Sequence, residues 1–178
     1  VLEVVLPGIR MTDPDYFAAT VMNHIFGGGG FGSRLTDVVR EKNGLTYGIS
    51  SDLSEMDYAS LFTISSSTRN ETVQTLLDLT KNEMERIKKE LVTDQELEDA
   101  KAYIIGSIPL GLTSTSQISE TLLTLQRHNL PVDFLDRREQ AVRAVSKADV
   151  GRVAERLLIP EKSTVILVGQ PKLSGNPR

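Results

Sequence analysis

The chain opens on an apolar run, "VLEVVLPGI", which reads as a strand from its first residue. Asp13 and Pro14 then stand where a helix cap and first turn belong. Phe17, Val21 and Ile25, beside Ala18, Met22 and Phe26, form one apolar stripe at helical spacing. The stripe runs into four consecutive glycines. Beyond them Ser33 is placed to cap a second helix with Leu35, Val38 and Val39 facing inward, and Gly44 is placed to stop it in a left-handed turn. Two strand-like runs follow, "TYGISSDL" and "YASLFTISS", and the polar residues over 54–57 between them predict a hairpin. From Asn70 the spacing of Val73, Leu76, Leu77, Met84, Ile87 and Leu91 predicts a long helix. Thr93 with Glu96 forms a capping box for the next, which carries Leu97, Ile104 and Ile108 and ends at Pro109 and Gly111. Further helices are predicted to start near Ser114, Asp133 and Ser146, and "STVILVG" reads as a buried strand. The order is strand, two helices, two strands, five helices, strand.

Composition narrows the classes of partner. At 178 residues, 39% hydrophobic and 25% charged, the chain fits one domain with a real core. Twenty basic against 24 acidic residues leave a net charge of -4, so nucleic acid is not an expected partner. No apolar stretch is long enough to span a bilayer. The absence of cysteine excludes disulfides and thiolate metal sites without naming a compartment. A core strand that begins at Val1 predicts a fragment of a longer two-domain protein, cut near a domain boundary.

Gly27, Gly29 and Gly32 satisfy G-x-G-x-x-G, but a helix leads into them where a dinucleotide fingerprint needs a strand. The P-loop reading fails as well, because Ser33 and Arg34 stand where Lys and Ser or Thr are required. No nucleotide is implied; a flexible turn between helices and a functional loop both remain readings of the run. His24 and His128 are far apart, and neither belongs to a zinc-binding H-x-x-E-H or H-E-x-x-H pair. The carboxylates of "KNEMERIKKEL" and "TDQELEDAK" alternate with Lys and Arg and read as solvated helix faces.

"NHIFGGGGFGSRLTDVVREKNGLTYGISS", then "TDQELEDAKAYIIGS", then "AVSKADVGRVAERLLIPEKSTVILVG", resemble the C-terminal domain of the M16 metallopeptidases. This pitrilysin-type family, with its inverted zinc motif, includes mitochondrial processing peptidase and paired bacterial relatives. The most specific element is the glycine turn, "SRL" and R-E-K-x-G-L-x-Y in one order. The resemblance covers essentially the whole chain, so 1–170 is expected to be one C-terminal-type M16 domain and 171–178 a polar tail. It implies an α+β fold of the LuxS/MPP type, with helices packed on a mostly antiparallel sheet. It also implies a closed chamber between two similar domains, in which the N-terminal one binds zinc through H-x-x-E-H. This chain has no such motif, so its own cofactor expectation is none, with zinc on a partner domain of the same polypeptide or a separate chain. Pairing as a homo- or heterodimer follows as an expectation. The periplasm or cell envelope is the compartment expected, with the mitochondrial matrix as the alternative.

By motif position, the substrate-side residues implied are Arg40 and Tyr47, with Gly28, Gly29 and Gly30 as the loop that permits close approach of substrate or partner. Arg40 is expected in the last turn of its helix and Tyr47 at the opening of the next strand. The Gly44 reversal then brings both to one rim. A guanidinium offers a fork of donors to peptide carbonyls, and a phenol can donate to an oxyanion. "YASLFTISS" is expected to supply an edge strand that an extended peptide could join. The reading is the non-catalytic, substrate-binding half of a zinc metalloendopeptidase acting on extended peptides. Its alternatives are a proteolytically inactive scaffold or assembly subunit, and a small-ligand module built on the glycine loop.

Overall fold

The structure, a computed structural model, describes residues 1–173. Four strands form one antiparallel sheet: β1 (Leu2–Pro7), β2 (Ile49–Glu55), β3 (Ser60–Ser66) and β4 (Thr164–Leu167), in the order β2-β3-β1-β4. Register follows from the pleat. Val4 lies opposite Ile64 and Val165, and Leu6 opposite Phe62, so alternate residues on all four strands turn to the helices.

Six α-helices cover that face: α1 (Tyr16–Asn23), α2 (Val73–Lys89), α3 (Asp94–Ser107), α4 (Thr115–Arg127), α5 (Phe134–Ala144) and α6 (Lys147–Leu157). α6 packs between α1 and α2, while α5 joins α1 and α3. Val21, Met22, Phe26, Leu35, Phe62, Ile64 and Leu76 are fully buried between the layers, and the Phe26 and Phe62 rings tilt together 6.0 Å apart. The fold is therefore α+β, with helices on an antiparallel sheet. Capping at Thr93, Ser114 and Ser146 starts α3, α4 and α6 as the sequence indicates.

Two segments are wider than α-helix. His24–Gly28 continues α1 as a π turn, closed by Gly29 N–H donating to His24 O at 2.8 Å. Ser33 caps the helical run 34–41 by accepting from Thr36 N–H at 3.4 Å, and Thr36–Glu41 of that run is again π, with Lys42 N–H donating to Asp37 O at 2.9 Å.

Several local expectations change. α1 starts at Tyr16 rather than after Asp13, because the Asp13 carboxylate accepts from Asp15 N–H and is held by Arg156 at 2.6 Å. β3 is an interior strand, paired on both sides, so "YASLFTISS" offers no edge to a peptide; the sheet edges are β2 and β4. β4 is largely exposed rather than buried, because the helix layer stops short of it. Leu91 falls beyond the end of α2 and is 64% exposed, so it leaves the apolar stripe. Of the expected tail over 171–178, residues 174–178 lie outside the described residues. Lys172 N–H donates to Asn70 O, and Leu173 packs against the core.

Candidate functional site

The second π turn ends at Glu41, with Arg40 in its last turn. Gly44, at φ 59°, then reverses the chain: its N–H donates to Arg40 O at 2.9 Å, and Leu45 N–H donates to Val39 O at 3.1 Å. The returning segment is fastened to the end of β3 by hydroxyls. Thr68 Oγ1 donates to Leu45 O at 2.6 Å, Thr46 Oγ1 to Ser67 O at 2.7 Å, and Ser66 Oγ to Gly48 O at 2.9 Å. Tyr47 thus stands two residues ahead of β2 rather than opening it, on a pinned bend, with its side chain 99% exposed.

Arg40 and Tyr47 line one open cleft of about 710 Å³, together with Glu41, Leu45, Thr46 and Arg69. The Arg40 guanidinium carbon lies 4.4 Å over the Phe31 ring, and Glu41 faces its Nε at 3.5 Å. Stacking on a ring face leaves the in-plane donors of a guanidinium directed outward.

Gly28, Gly29 and Gly30 are not in the wall of that cleft. Gly28 and Gly29 lie against Asn23 and His24 of their own helix, and a side chain on Gly27 would strike Ser51 of β2. Gly30, at φ 61°, turns the chain so that Phe31 emerges, and Phe31 connects the loop to Arg40. The glycines therefore serve contacts within this chain, and their approach to another molecule is not part of the observed geometry.

One cluster was not legible. Arg34, 8% exposed, donates through Nε and Nη2 to Glu96 at 2.6 and 2.9 Å, while its Nη1, 3.9 Å from Glu83, is buried without a hydrogen-bond partner. Glu83, 3% exposed, also accepts two bonds from Arg86 at 2.8 Å. The reading of these acids as solvated faces fails for Glu83 and Glu96. The Arg34 guanidinium, with bonds from Thr93, holds the Glu96 carboxyl down to about 2. The available signal was an Arg beside the inward-facing Leu35. The cluster fixes the helix that carries Arg40 to α2 and to the cap of α3.

Zinc finds no ligand set here: among the described residues no group of three or more His, Cys, Asp or Glu could hold a metal. His24 stacks on Tyr103 at 4.6 Å and burial lowers its pKa, while His128 pairs with Glu55 at 3.3 Å. No helix among the described residues is long and apolar enough to cross a membrane.

The family described as "Peptidase M16 inactive domain" matches residues 1–104. A solved peptidase M16 inactive domain from Pseudomonas fluorescens superposes with a TM-score of 0.87 at 33% identity, covering 99% of this chain and 42% of that one. An uncharacterized zinc protease of Streptomyces coelicolor is 34% identical over 113 residues, 64% of this chain and 24% of the relative. A Helicobacter pylori relative, described as a non-peptidase homolog, is 32% identical over 132 residues, 71% of this chain and 29% of its own length. The chain thus spans well under half the length of the proteins it matches. With fold, motif order and family match in agreement, the chain belongs to the M16 peptidase family as an inactive domain.

Proposed function

We propose that this domain is the substrate-binding half of a zinc metalloendopeptidase that cleaves extended peptides, completing a site whose zinc is held by an H-x-x-E-H domain. The observation that carries the reading is the cleft shared by Arg40 and Tyr47, which sets a stacked guanidinium and a fully presented phenol on one wall. Arg40 binds backbone carbonyls of the peptide, which fixes its direction. Tyr47 Oη donates to the scissile carbonyl oxygen as that oxygen gains charge. The hydroxyl bonds around Thr46 and Thr68 supply the rigidity such a donor needs.

An assembly subunit is the second reading. It is favoured by the exposed apolar side chains Leu110, Ile118, Leu122 and Leu123 on and beside α4, which buries only Leu125. Reconstitution with a zinc-bearing M16 domain separates the two. Under the peptidase reading Tyr47→Phe keeps the ring but lowers kcat by about 10²–10³, and binding changes less. Wild-type cleavage by Tyr47→Phe would return the residue to a surface role. A wild-type complex that assembles and cleaves nothing would favour the assembly subunit.

A further inference from the structure

The cleft wall carries a second guanidinium that the Arg40–Tyr47 pair does not account for. Arg69 stands opposite the Gly44 turn, between the end of β3 and the start of α2, in the same wall as Arg40 and Tyr47. Its side chain is exposed, and among the described residues it has no carboxylate within ion-pair distance, although most arginines of this chain are paired. Glu41 is the one acid in the wall, and it faces Arg40. The remaining polar wall groups are hydroxyls and the Tyr47 phenol. A neutral peptide has no use for a second cation here, whereas a carboxylate can take two parallel donors from one guanidinium.

We propose that the cleft selects peptides bearing a carboxylate, and that Arg69 is the residue that reads this charge. The inference rests on the substrate-binding reading above and gives it a substrate class. Arg69 does not touch the reacting atoms; it sets which segment of an extended chain lies over Arg40 and Tyr47. The cleft volume of about 710 Å³ lies within the range of ligand-binding pockets, so a short peptide segment fits it. The segment that bears Arg69 is held in place. Thr72 Oγ1 bonds to Arg69 O at 3.1 Å and to Thr68 Oγ1 at 2.7 Å, so the guanidinium starts from a fixed backbone.

The test uses fluorescein-labelled peptides of about ten residues, amidated at the C-terminus and identical except for Glu, Gln or Lys at one position. A fourth peptide has neutral side chains and a free terminal carboxylate. Affinities are read by anisotropy on the 178-residue chain and on its complex with a zinc-bearing M16 domain. The Glu peptide is expected to bind about 3- to 10-fold tighter than the Gln peptide, with the Lys peptide weakest. The preference should fall in 0.5 M NaCl. Arg69→Gln should bring Glu and Gln within about 2-fold, and Arg69→Lys should keep a preference. If the Arg69-dependent preference belongs to the fourth peptide alone, the carboxylate read is the terminal one, which supports the proposal. A wild-type protein that binds all four peptides equally, or a Glu preference that survives Arg69→Gln, overturns the proposal and leaves the role of Tyr47 standing. Failure of every peptide to bind, with no cleavage by the complex, overturns both.

Discussion

Replacing Glu96 by Gln tests the one strongly shifted carboxyl that reaches the site's helix. In the folded chain Glu96 accepts two bonds from Arg34 and three from the backbone and hydroxyl region of Thr93, counting both directions of the capping box. Its carboxyl is held at about 2, against 4.5 ordinarily, chiefly by the Arg34 guanidinium. At about 1.4 kcal/mol per pH unit this difference has a ceiling of about 3.4 kcal/mol. Glu96 is 30% exposed, so solvent screening brings the expected contribution to about 1–2 kcal/mol. Because the folded pKa is depressed, the stabilisation is complete above about pH 4.5 and is lost as the pH falls toward 2. Gln keeps the shape and can still accept from the N-cap N–H, but it carries no titrating charge. Urea denaturation of wild type and Glu96→Gln at pH 7, 5, 3.5 and 2.5 should show a gap of about 1–2 kcal/mol at the first two values that closes at the last. The corresponding loss at neutral pH is about 2–8 °C in Tm. A gap that stays constant from pH 7 to 2.5, or no gap at pH 7, refutes the assignment of the stabilisation to the Arg34–Glu96 charge pair.

Thr93→Ala removes the hydroxyl that accepts from Glu96 N–H at 3.1 Å, and should lower stability by about 0.5–2 kcal/mol in the same urea assay while leaving peptide binding unchanged. Gly27→Ala places a methyl 2.5 Å from Ser51 Oγ and 2.9 Å from Ser51 N, so β2 or the first π turn must shift; a loss of about 1–3 kcal/mol in the urea midpoint is expected, and an unchanged midpoint would show that the approach relaxes freely.

The parts of the fold that were legible in sequence are those set within a few residues. Ser114, Thr93 and Ser146 each accept from a backbone N–H three positions on, and that short-range geometry is written in residue type. Gly44 was readable for the same reason, since its positive φ suits glycine and the helix before it ends there. Strand order was not. Whether β3 lies at an edge depends on β1 arriving from 60 residues upstream, and nothing in "YASLFTISS" records that pairing. Asp13 misled because its carboxylate is engaged by Arg156, a residue remote in sequence, which displaced the helix start to Tyr16. At the site, Arg40 and Tyr47 were found through motif order, and their common cleft follows from the Gly44 turn. Arg34 was missed because its partners, Glu83 and Glu96, sit among alternating charges that look solvated until α2 and α3 are brought together.

The widened turn at Thr36–Glu41 makes the spacing of this helix as informative as its residues. A π turn accommodates one residue more than the α-helix would over the same length. Deleting a single residue there would let the helix relax to 3.6 per turn, and every side chain beyond the deletion would rotate by about 100° around the axis. Leu35 and the Arg34 pair, which precede the turn, would keep their places, while Arg40 would swing off Phe31 and out of the cleft. A relative can therefore carry the same arginine and tyrosine in the same order and still present a different wall, and a one-residue gap at this point in an alignment marks a change in which side chains a peptide would meet.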